Sequence, residues 1–562
     1  MVKFKCGLEV HQRLKLGKLF CNCDASLRRK PVATINRKLR AVPGEMGEVD
    51  PAALFEHLRN RVFIYQIFPE ESCLVELDEE PPHEVNREAF VSALKIALML
   101  DMDIPDEIHV MRKTVVDGSN TTGFQRTMII GLNGKLKING KEIPITQLCL
   151  EEEACGIVEE KNGRVTYRLD RLGIPLLEVS TGILEDLSPK EVQEVALQIG
   201  MLLRSLGNAW RGIGSIRQDL NISVEGGNRV EIKGVQKLEL ISKIIENEID
   251  RQLSLLKIRD ELRKRGVKQV SSEIVDVTKV FSSTSFKPIK KAISSGGKVF
   301  AIKLEGFAGI LARKAGGRTF GKELADHAAA FGLGGIIHSD ENLEKYRLTE
   351  EFNKLRELLK ASKSDCIIIV AGSKEKCVKA LNSIIERANQ ALIGVPGETR
   401  AANPDGTTRY TRPLPGAERM YPETDIPPIP VPRSLLEELK KTLPEPLQVK
   451  KKKFLEMGLN QQLADEIIRS EFLHLFEQLV KEGFDPVLTA TTLTSTIKYL
   501  SREGVPVDQL EDHHIIEVFK AVKSGLFAKE AIPDVLSELA KNCLLYTSDA
   551  ADDGESVDLG GR

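Results

Sequence analysis

Three consecutive glutamates end an otherwise apolar segment, Gln147 to Gly156, and they place the strictest limit on how this chain can fold. Segments with Val, Ile and Leu at strand spacing flank them, and alternate side chains of a strand point to opposite faces. Glu151 and Glu153 are therefore predicted to share one face, with Glu152 on the other. A charge triplet alone is typical of a solvated strand end, so its interpretation depends on polar residues elsewhere.

Charged side chains also occupy two other segments that are predicted to be strands. In Gly7 to Leu14, Glu9 and His11 are two residues apart and are expected to face the same way. A carboxylate beside an imidazole can bind a metal or transfer a proton, although a surface contact is the commoner arrangement. Glu178 lies inside an apolar strand, where a carboxylate has to be paired, protonated or bound to a metal, and this favours a functional role.

Residues 215–234 are predicted to form a hairpin with one fully polar face. Its first strand alternates apolar residues with Arg217, Asp219 and Asn221, and its second strand carries Lys233. A polar face of this kind is either a solvated outer face or the lining of a site.

Two loop-rich segments are candidates for ligand binding. The first, 113–126, is dense in hydroxyls, amides and glycine, so it either offers donors to a phosphate or forms an ordinary polar turn. The second, 401–433, begins with a long stretch without an obvious helix or strand, and ordered loops of such length are often functional.

The composition limits the partners and the compartment. The net charge is only -2, so contact with RNA would depend on a local patch such as the basic run Lys450–Lys453. Nine cysteines fit a reducing cytoplasm better than a disulfide framework. Cys21 and Cys23 could be half a zinc site, but no second close pair follows, so zinc is not expected. No segment approaches the roughly 18 apolar residues that span a membrane.

The segments group into five parts along the 562 residues. Residues 1–275 and 401–433 carry the polar strands and loops, whereas strands and helices alternate in residues 276–400 like an inserted α/β module that lacks a nucleotide-binding fingerprint. Residues 434–541 are predicted to be helical. Residues 542–562 depart from the helical pattern and resemble translated adapter sequence, so we expect a non-native tail there.

Eight motifs, in order, resemble one family, the B/E family of tRNA-dependent amidotransferase subunits. They are GLEVHQRL, KLFCNC, DGSNTTGFQR, LEEEACG, DRLGIPLLEVS, QDLNIS, VEIKG and RMYPETDIP. The resemblance extends from the first residue to about Lys541. The long DGSNTTGFQR form and the insertion, which is similar to a domain of bacterial-type aspartyl-tRNA synthetases, indicate the archaeal E-type members of the family.

The resemblance implies an α+β fold with three domains. Residues 1–275 would form a catalytic cradle with a mixed or antiparallel sheet, and residues 401–433 would return to complete it. Residues 276–400 would be the inserted aspartyl-tRNA synthetase-like α/β domain. Residues 434–541 would form a helical domain and the start of a tail domain, which we expect to be truncated, with an effect on tRNA binding.

The resemblance also implies an activity. Such a subunit phosphorylates the γ-carboxylate of glutamate mischarged on tRNA(Gln), using ATP and Mg²⁺, and then amidates it with ammonia to give Gln-tRNA(Gln). The ammonia comes from a glutaminase-type D subunit, and two D and two E subunits are expected to form a heterotetramer in the cytoplasm, away from any membrane. The alternative is a non-catalytic subunit that binds tRNA or acts as a scaffold.

Motif by motif, the resemblance assigns roles to residues of this chain. The implied metal ligands are His11, Glu151 or Glu152, and Glu178. The implied catalytic residues are Glu9, His11, Arg217, Asp219, Asn221 and Lys233. The implied contacts with substrate or phosphate are Ser119, Asn120, Arg419, Tyr421 and Glu423. Among these, Arg217, Lys233 and Arg419 are candidates to hold phosphate.

Overall fold

A computed structural model describes residues 2–27, 29–43, 47–161, 163–212, 214–416 and 420–549, with side chains up to residue 542. Contacts divide the chain into two compact units. The first comprises residues 1–199 and 216–436, and the second comprises residues 200–215 and 437–562. The predicted phosphate ligand Arg419 and the last part of the predicted non-native tail lie outside the described residues.

The strands lie in the first unit. They are β1 Phe4–Arg13, β2 Ala33–Arg37, β3 Val62–Ile67, β4 Glu107–Ile108, β5 Val110–Thr114, β6 Phe124–Ile138, β7 Lys141–Glu152, β8 Gly156–Lys161, β9 Arg164–Arg168, β10 Pro175–Thr181, β11 Ile216–Val224, β12 Val230–Val235, β13 Val275–Asp276, β14 Lys298–Leu304, β15 Lys314–Ala315, β16 Arg318–Thr319, β17 Ile337–His338, β18 Cys366–Gly372, β19 Glu398–Ala402, β20 Thr408–Pro413, β21 Met420–Pro422 and β22 Ile429–Pro430.

Helices occur throughout the chain and dominate its C-terminal part. They are α1 Pro51–Arg59, α2 Arg87–Met99, α3 Pro189–Arg204, α4 Ile241–Lys264, α5 Lys287–Ser294, α6 Phe320–Ala329, α7 Leu343–Tyr346, α8 Thr349–Leu358, α9 Lys374–Ile393, α10 Arg433–Lys440, α11 Leu447–Glu456, α12 Gln461–Arg469, α13 Leu473–Lys481, α14 Pro486–Thr491, α15 Ile497–Arg502, α16 Asp512–Lys523 and α17 Ile532–Asp549. The predicted mixture of helices and sheets with a C-terminal helical region is confirmed.

A ten-stranded sheet, which we call the main sheet, carries the predicted polar strands. Its order is β20-β19-β12-β11-β1-β10-β7-β6-β5-β21. Neighbouring strands are antiparallel except β12 and β19, which run parallel. The strands on both sides of β1 pair with it over much of its length, so β1 lies at the centre of the sheet.

The two faces of the main sheet differ in polarity because apolar and polar residues alternate along its central strands. Val10, Val179 and Leu148 are fully buried on the apolar face. Helix α2 packs against β6 and β7, and helix α4 packs against β11. Each buried side chain of this size stabilises the fold by about 1.5–3 kcal/mol. The apolar face and its helices therefore hold the centre of the sheet in place, and the other face carries the charged residues of β1, β10 and β11.

A second, four-stranded sheet has the order β13-β14-β18-β17. An apolar cluster that includes Phe281, Phe352 and Ile369 packs against it. Helix α9 follows β18 after Ser373, whose side chain accepts a hydrogen bond from the Lys376 amide as an N-cap. Strands and helices thus alternate between residues 275 and 393, as the sequence predicted.

A network of six buried charges, which we call the arginine–glutamate network, joins four elements of the first unit. Its members are Glu248, Arg251, Glu323, Arg387, Glu398 and Arg400, and each of them is at most 2% exposed. Glu323 lies at its centre, with Arg251 Nη1 and Arg387 Nη2 each 2.9 Å from its carboxylate. Arg400 Nη2 is 3.4 Å away. The charges of the three arginines and the three glutamates cancel, and this lowers the free-energy cost of burying them.

The second unit contains the basic run, and its last helix differs from the sequence prediction. The run Lys450–Lys453 lies in α11, where Lys450 pairs with Glu477 at 2.6 Å and Lys453 with Glu445 at 2.5 Å. Lys450 and Lys453 thus each form an ion pair within the second unit, and contact of the run with RNA stays a prediction. The helical backbone also continues past residue 541 to Asp549, because residues 542–549 contain neither proline nor glycine to end it. Among the described residues, no helix is both long and apolar enough to cross a membrane.

Candidate functional site

Three buried side chains of the main sheet converge on its polar face. His11 and Glu178 are direct partners across β1 and β10, and His11 Nε2 lies 3.1 Å from Glu178 Oε2. Glu151 on β7 completes a set in which one ligand atom of each residue lies within 4.8 Å of the others. Lys113 Nζ is 3.1 Å from Glu151 Oε2 and 3.8 Å from Glu178 Oε2. Two carboxylates and an imidazole in this arrangement, the His11 cluster, could hold a cation.

A second, overlapping set shares His11. Glu9 and Asp219 are partners across β1 and β11, and their carboxylates lie within 4.8 Å of His11 and of each other. Asn221 Nδ2 donates to Glu9 Oε1 at 3.0 Å. Lys233 Nζ lies 3.0 Å from Asp219 Oδ2. The sheet register thus brings together seven of the predicted site residues, namely Glu9, His11, Glu151, Glu178, Asp219, Asn221 and Lys233.

A β-bulge shapes the edge of this second set. The pairing of β11 with β12 shifts between Gln218 and Leu220. Gly234 has a positive φ of 77°, and its amide donates to Asp219 Oδ1 at 2.9 Å. The Gly234 amide and the Lys233 ammonium group therefore both hold the Asp219 carboxylate. Glycine suits position 234 because it adopts a positive φ without steric strain.

Burial and neighbouring charges shift the pKa values of the site residues. Burial and the Glu178 charge raise the pKa of Glu9 to about 6. Burial opposes ionisation of Glu178, but Lys113 and His11 hold its pKa well below the ordinary value. Burial would lower the pKa of His11, but the hydrogen bond to Glu178 and the negative charge of that carboxylate together raise it. The pKa of Asp219 is lowered to about 2, since Lys233 and His11 outweigh its burial. The carboxylates of Glu178 and Asp219 are therefore anionic at neutral pH.

The three consecutive glutamates separate in the way that strand alternation predicted, but each has a different partner. Glu151 joins the His11 cluster. Glu152 points to the opposite face, where its carboxylate accepts a hydrogen bond from the Arg126 amide at 3.0 Å. Glu153 follows the end of β7, and Arg217 Nη1 lies 2.7 Å from it. The structure therefore brings Glu151, and not Glu152, to the other predicted metal ligands.

The arginine partners of Glu153 explain the position of Arg217. Burial would raise the pKa of Glu153, but Arg217 and Arg171 lower it to about 2. Glu153 is fully buried, and Arg13 approaches it as well at 3.9 Å. Arg217 is thus held beside the His11 cluster by an ion pair, which reduces the freedom of its guanidinium group.

Two predicted substrate residues, Tyr421 and Glu423, lie in a separate cluster on the Glu152 side of the sheet. Arg126 Nε donates a hydrogen bond to Glu423 Oε2 at 2.8 Å, and Arg112 Nη2 donates one to Glu423 Oε1 at 2.5 Å. The Arg112 guanidinium lies 5.9 Å from the ring centroid of Tyr421. We call this group the Arg126 cluster. Strand β21 pairs with β5, which brings the return segment to this edge of the sheet.

The two predicted loop residues, Ser119 and Asn120, lie between β5 and β6. Ser119 Oγ donates to Asp117 Oδ1 at 2.6 Å, and Asn120 is buried. The Ser119 side chain is thus held inside the loop. Sequence reasoning missed Lys113, Arg112 and Arg126. Lys113 and Arg126 were part of the segment interpreted as a loop, whereas they belong to the paired strands β5 and β6.

A cysteine cluster corrects the expectation that zinc would find no site. One ligand atom each of Cys21, Cys23, Cys73 and Glu76 lies within 4.8 Å of the others. Cys21 Sγ donates to Glu76 Oε1 at 2.8 Å, and Cys73 Sγ donates to Glu76 Oε2 at 3.1 Å. Burial raises the pKa of Glu76 to about 7. The spacing of the first pair suggested half a site, and the fold supplies the other half from a distant turn, giving a donor set that fits zinc.

Known proteins resemble this chain over most of its length. The family model described as the GatB/GatE catalytic domain matches residues 4–437. The chain is similar to the E subunit of glutamyl-tRNA(Gln) amidotransferase from Methanocaldococcus jannaschii, with 49% identity over 545 residues, which cover 95% of this chain and 86% of that protein. It is 48% identical over 550 residues to the corresponding protein of Saccharolobus solfataricus, with 95% and 86% of the two chains covered. The corresponding protein of Methanococcus maripaludis is 46% identical over 546 residues, with 96% and 86% covered.

Proposed function

The chain belongs to the GatB/GatE family, and on this premise we propose that it is the E-type subunit of a glutamyl-tRNA(Gln) amidotransferase. This complex is a carbon–nitrogen ligase that makes Gln-tRNA(Gln) from glutamate attached to tRNA(Gln). The observation that carries the proposal is the convergence of His11, Glu151 and Glu178 on one face of the main sheet, inside the matched region.

The reaction has two steps. First, an oxygen of the glutamyl γ-carboxylate attacks the γ-phosphorus of ATP, and the bond to the departing ADP oxygen breaks. Second, ammonia attacks the carbonyl carbon of the acyl phosphate, the bond from that carbon to the phosphate oxygen breaks, and phosphate leaves while one proton of the ammonia passes to a base. Both steps bring several negative charges together, so the site has to position the reactants and neutralise charge.

The donor set fits Mg²⁺. This ion prefers oxygen ligands and retains several waters, and Glu151 and Glu178 each offer a carboxylate. His11 bonds to Glu178 through Nε2, which suits a role in orienting that carboxylate. When bound, Mg²⁺ would neutralise phosphate charge.

The remaining roles belong to the cationic side chains. Lys233 carries a raised pKa, because Asp219 and Glu231 outweigh its burial, so it stays charged and can bind a phosphate oxygen. Arg217, held by Glu153, can do the same from β11. Asp219 holds Lys233, and Asn221 holds Glu9. Tyr421 and Glu423 of the Arg126 cluster are proposed substrate contacts on the Glu152 side of the sheet.

The other assignments follow from the family. We propose that ammonia comes from a glutaminase-type D subunit, that two D and two E subunits assemble, and that the complex acts in the cytoplasm. We propose the domain boundaries predicted from the sequence, with residues 276–400 as an aspartyl-tRNA synthetase-like domain that recognises tRNA or a partner. The sheet β13-β14-β18-β17 with its flanking helices supports a distinct module there.

The test is the amidation reaction with free ammonia, which removes the need for glutamine hydrolysis. Glu151→Gln and Glu178→Gln are assayed with γ-labelled ATP and Glu-tRNA(Gln) in the full complex. Each is expected to lower Gln-tRNA(Gln) formation at least about 100-fold, because it removes a charge needed in the transition state. Glu159→Gln, at an exposed position of β8, is the matched control and should keep wild-type activity.

Two outcomes would overturn this assignment. If both cluster variants make Gln-tRNA(Gln) at the wild-type rate, the chain acts as a tRNA-binding or scaffold subunit. If Glu152→Gln abolishes turnover while Glu151→Gln does not, the metal lies on the other face of the sheet. Binding of tRNA by the inactive variants is measured as well. If they still bind tRNA, their loss of activity is a defect in the reaction and not in substrate binding.

A further inference from the structure

A third set of metal-ligating side chains lies in the second sheet, apart from the His11 cluster and the cysteine cluster. His338 ends β17 and pairs with Ile368 of β18. Cys366 precedes Ile368 by two residues, so it points to the same face as His338. Asp340 follows β17, and one ligand atom each of His338, Asp340 and Cys366 lies within 4.8 Å of the others.

The imidazole of His338 is prepared for a ligand. The side chain is 8% exposed, and its Nε2 lies 3.3 Å from Glu341 Oε1. Its Nδ1 is buried and has no hydrogen-bond partner among the described residues. The tautomer that donates its Nε2 proton to Glu341 leaves an unused lone pair on Nδ1, and a buried unsatisfied group costs about 1–3 kcal/mol. Histidines that bind metals commonly donate their other ring proton to a carboxylate in this way.

The two other donors are also held in place. The Ser339 hydroxyl donates to Cys366 Sγ at 3.4 Å, and Cys366 is fully buried. Asp340 Oδ2 accepts a hydrogen bond from the Leu311 amide at 3.1 Å, which leaves its other oxygen available. A thiol, an imidazole and a carboxylate form a mixed donor set that suits zinc, whereas Mg²⁺ and Ca²⁺ favour oxygen alone.

We propose that His338, Asp340 and Cys366 bind one divalent ion of the zinc class, with Glu341 orienting the histidine. The ion would tie the short edge strand β17 and the loop after it to the central strand β18. Because three protein groups supply the ligands, the fourth position of a tetrahedral ion is open to water.

Cadmium-113 NMR of the full-length chain tests the site, because the chemical shift of this zinc substitute depends on how many thiolates bind it. We expect one resonance with the shift of a one-thiolate site, distinct from that of a site with several thiolates. Cys366→Ser should abolish this resonance. Cys377→Ser, at another fully buried thiol in the adjoining helix α9, should keep it, and Cys73→Ser should alter only the cysteine cluster.

A second variant covers the case in which Cys366→Ser fails to fold. Glu341→Gln keeps all three ligands and is expected to weaken zinc binding roughly 10- to 100-fold, measured by competition with a chelating dye. The proposal is overturned if wild-type protein gives no one-thiolate resonance, if a folded Cys366→Ser retains it, or if Glu341→Gln binds zinc with unchanged affinity.

Discussion

The arginine–glutamate network gives a stability prediction that can be worked out from its charges. Glu323→Gln removes one of three buried carboxylates, so three arginines face two glutamates and the network gains one net positive charge. Arg387 is affected most, because Glu323 supplies its ion pair and it is fully buried. Removing one partner of a buried ion pair typically costs about 3–5 kcal/mol.

Native-state hydrogen exchange detected by mass spectrometry measures this loss locally. Some amides of α9 exchange only when the first unit unfolds, and these should exchange about 100 to several thousand times faster in Glu323→Gln. The factor follows from the expected loss of unfolding free energy, since about 1.4 kcal/mol changes the rate tenfold. The chain has one tryptophan, Trp210, which belongs to the second unit. Its fluorescence during urea unfolding therefore serves as an internal control that should not change.

Two further variants define the cause. Glu350→Gln, at an exposed position, should leave the exchange rates unchanged. Arg387→Met added to Glu323→Gln restores the charge balance and should recover much of the stability, since a neutral replacement of a buried pair is well tolerated. A loss below about 1 kcal/mol in Glu323→Gln, or no recovery in the double variant, would refute the charge-balance reasoning.

The remaining predictions concern pH and the Arg126 cluster. Burial would raise the pKa of Glu323, but its arginine partners hold it well below the ordinary value, so its contribution is complete above the unfolded-state pKa of about 4.3 and is lost as the pH falls. The stability difference between wild type and Glu323→Gln should therefore stay constant from about pH 7 to pH 5 and shrink below about pH 4; a difference that persists undiminished at about pH 3 would contradict this. Arg126→Met should lower the free energy of unfolding by about 3–5 kcal/mol, because it removes the arginine that bridges the buried carboxylates of Glu152 and Glu423. Far-UV circular dichroism in urea measures this loss, and a change below about 1 kcal/mol would show that Arg112 compensates.

Strand alternation predicted much of the site. It separated Glu151 from Glu152, and it placed Glu9 with His11 and Asp219 with Asn221. Which glutamate faces His11 could not be predicted, because this depends on the register of β7 against β10, and register is a property of paired strands.

Contacts between distant segments account for what the sequence did not reveal. Cys73 and Glu76 complete the cysteine cluster only because the fold brings their turn to Cys21 and Cys23. The arginine–glutamate network was missed for a different reason. Charged residues on helices usually face solvent, and Glu323 and Arg387 give no local sign that each will be buried against the other.

The parallel pairing of β12 with β19 has a consequence for the order of synthesis. Val230 is the register partner of Glu398, and the whole segment with the second sheet is translated between them. While that segment emerges from the ribosome, β12 presents an unpaired edge whose amides and carbonyls can bind another chain. An edge that stays open during this interval favours aggregation of the nascent protein, and rapid local folding of residues 276–397 would shorten the interval.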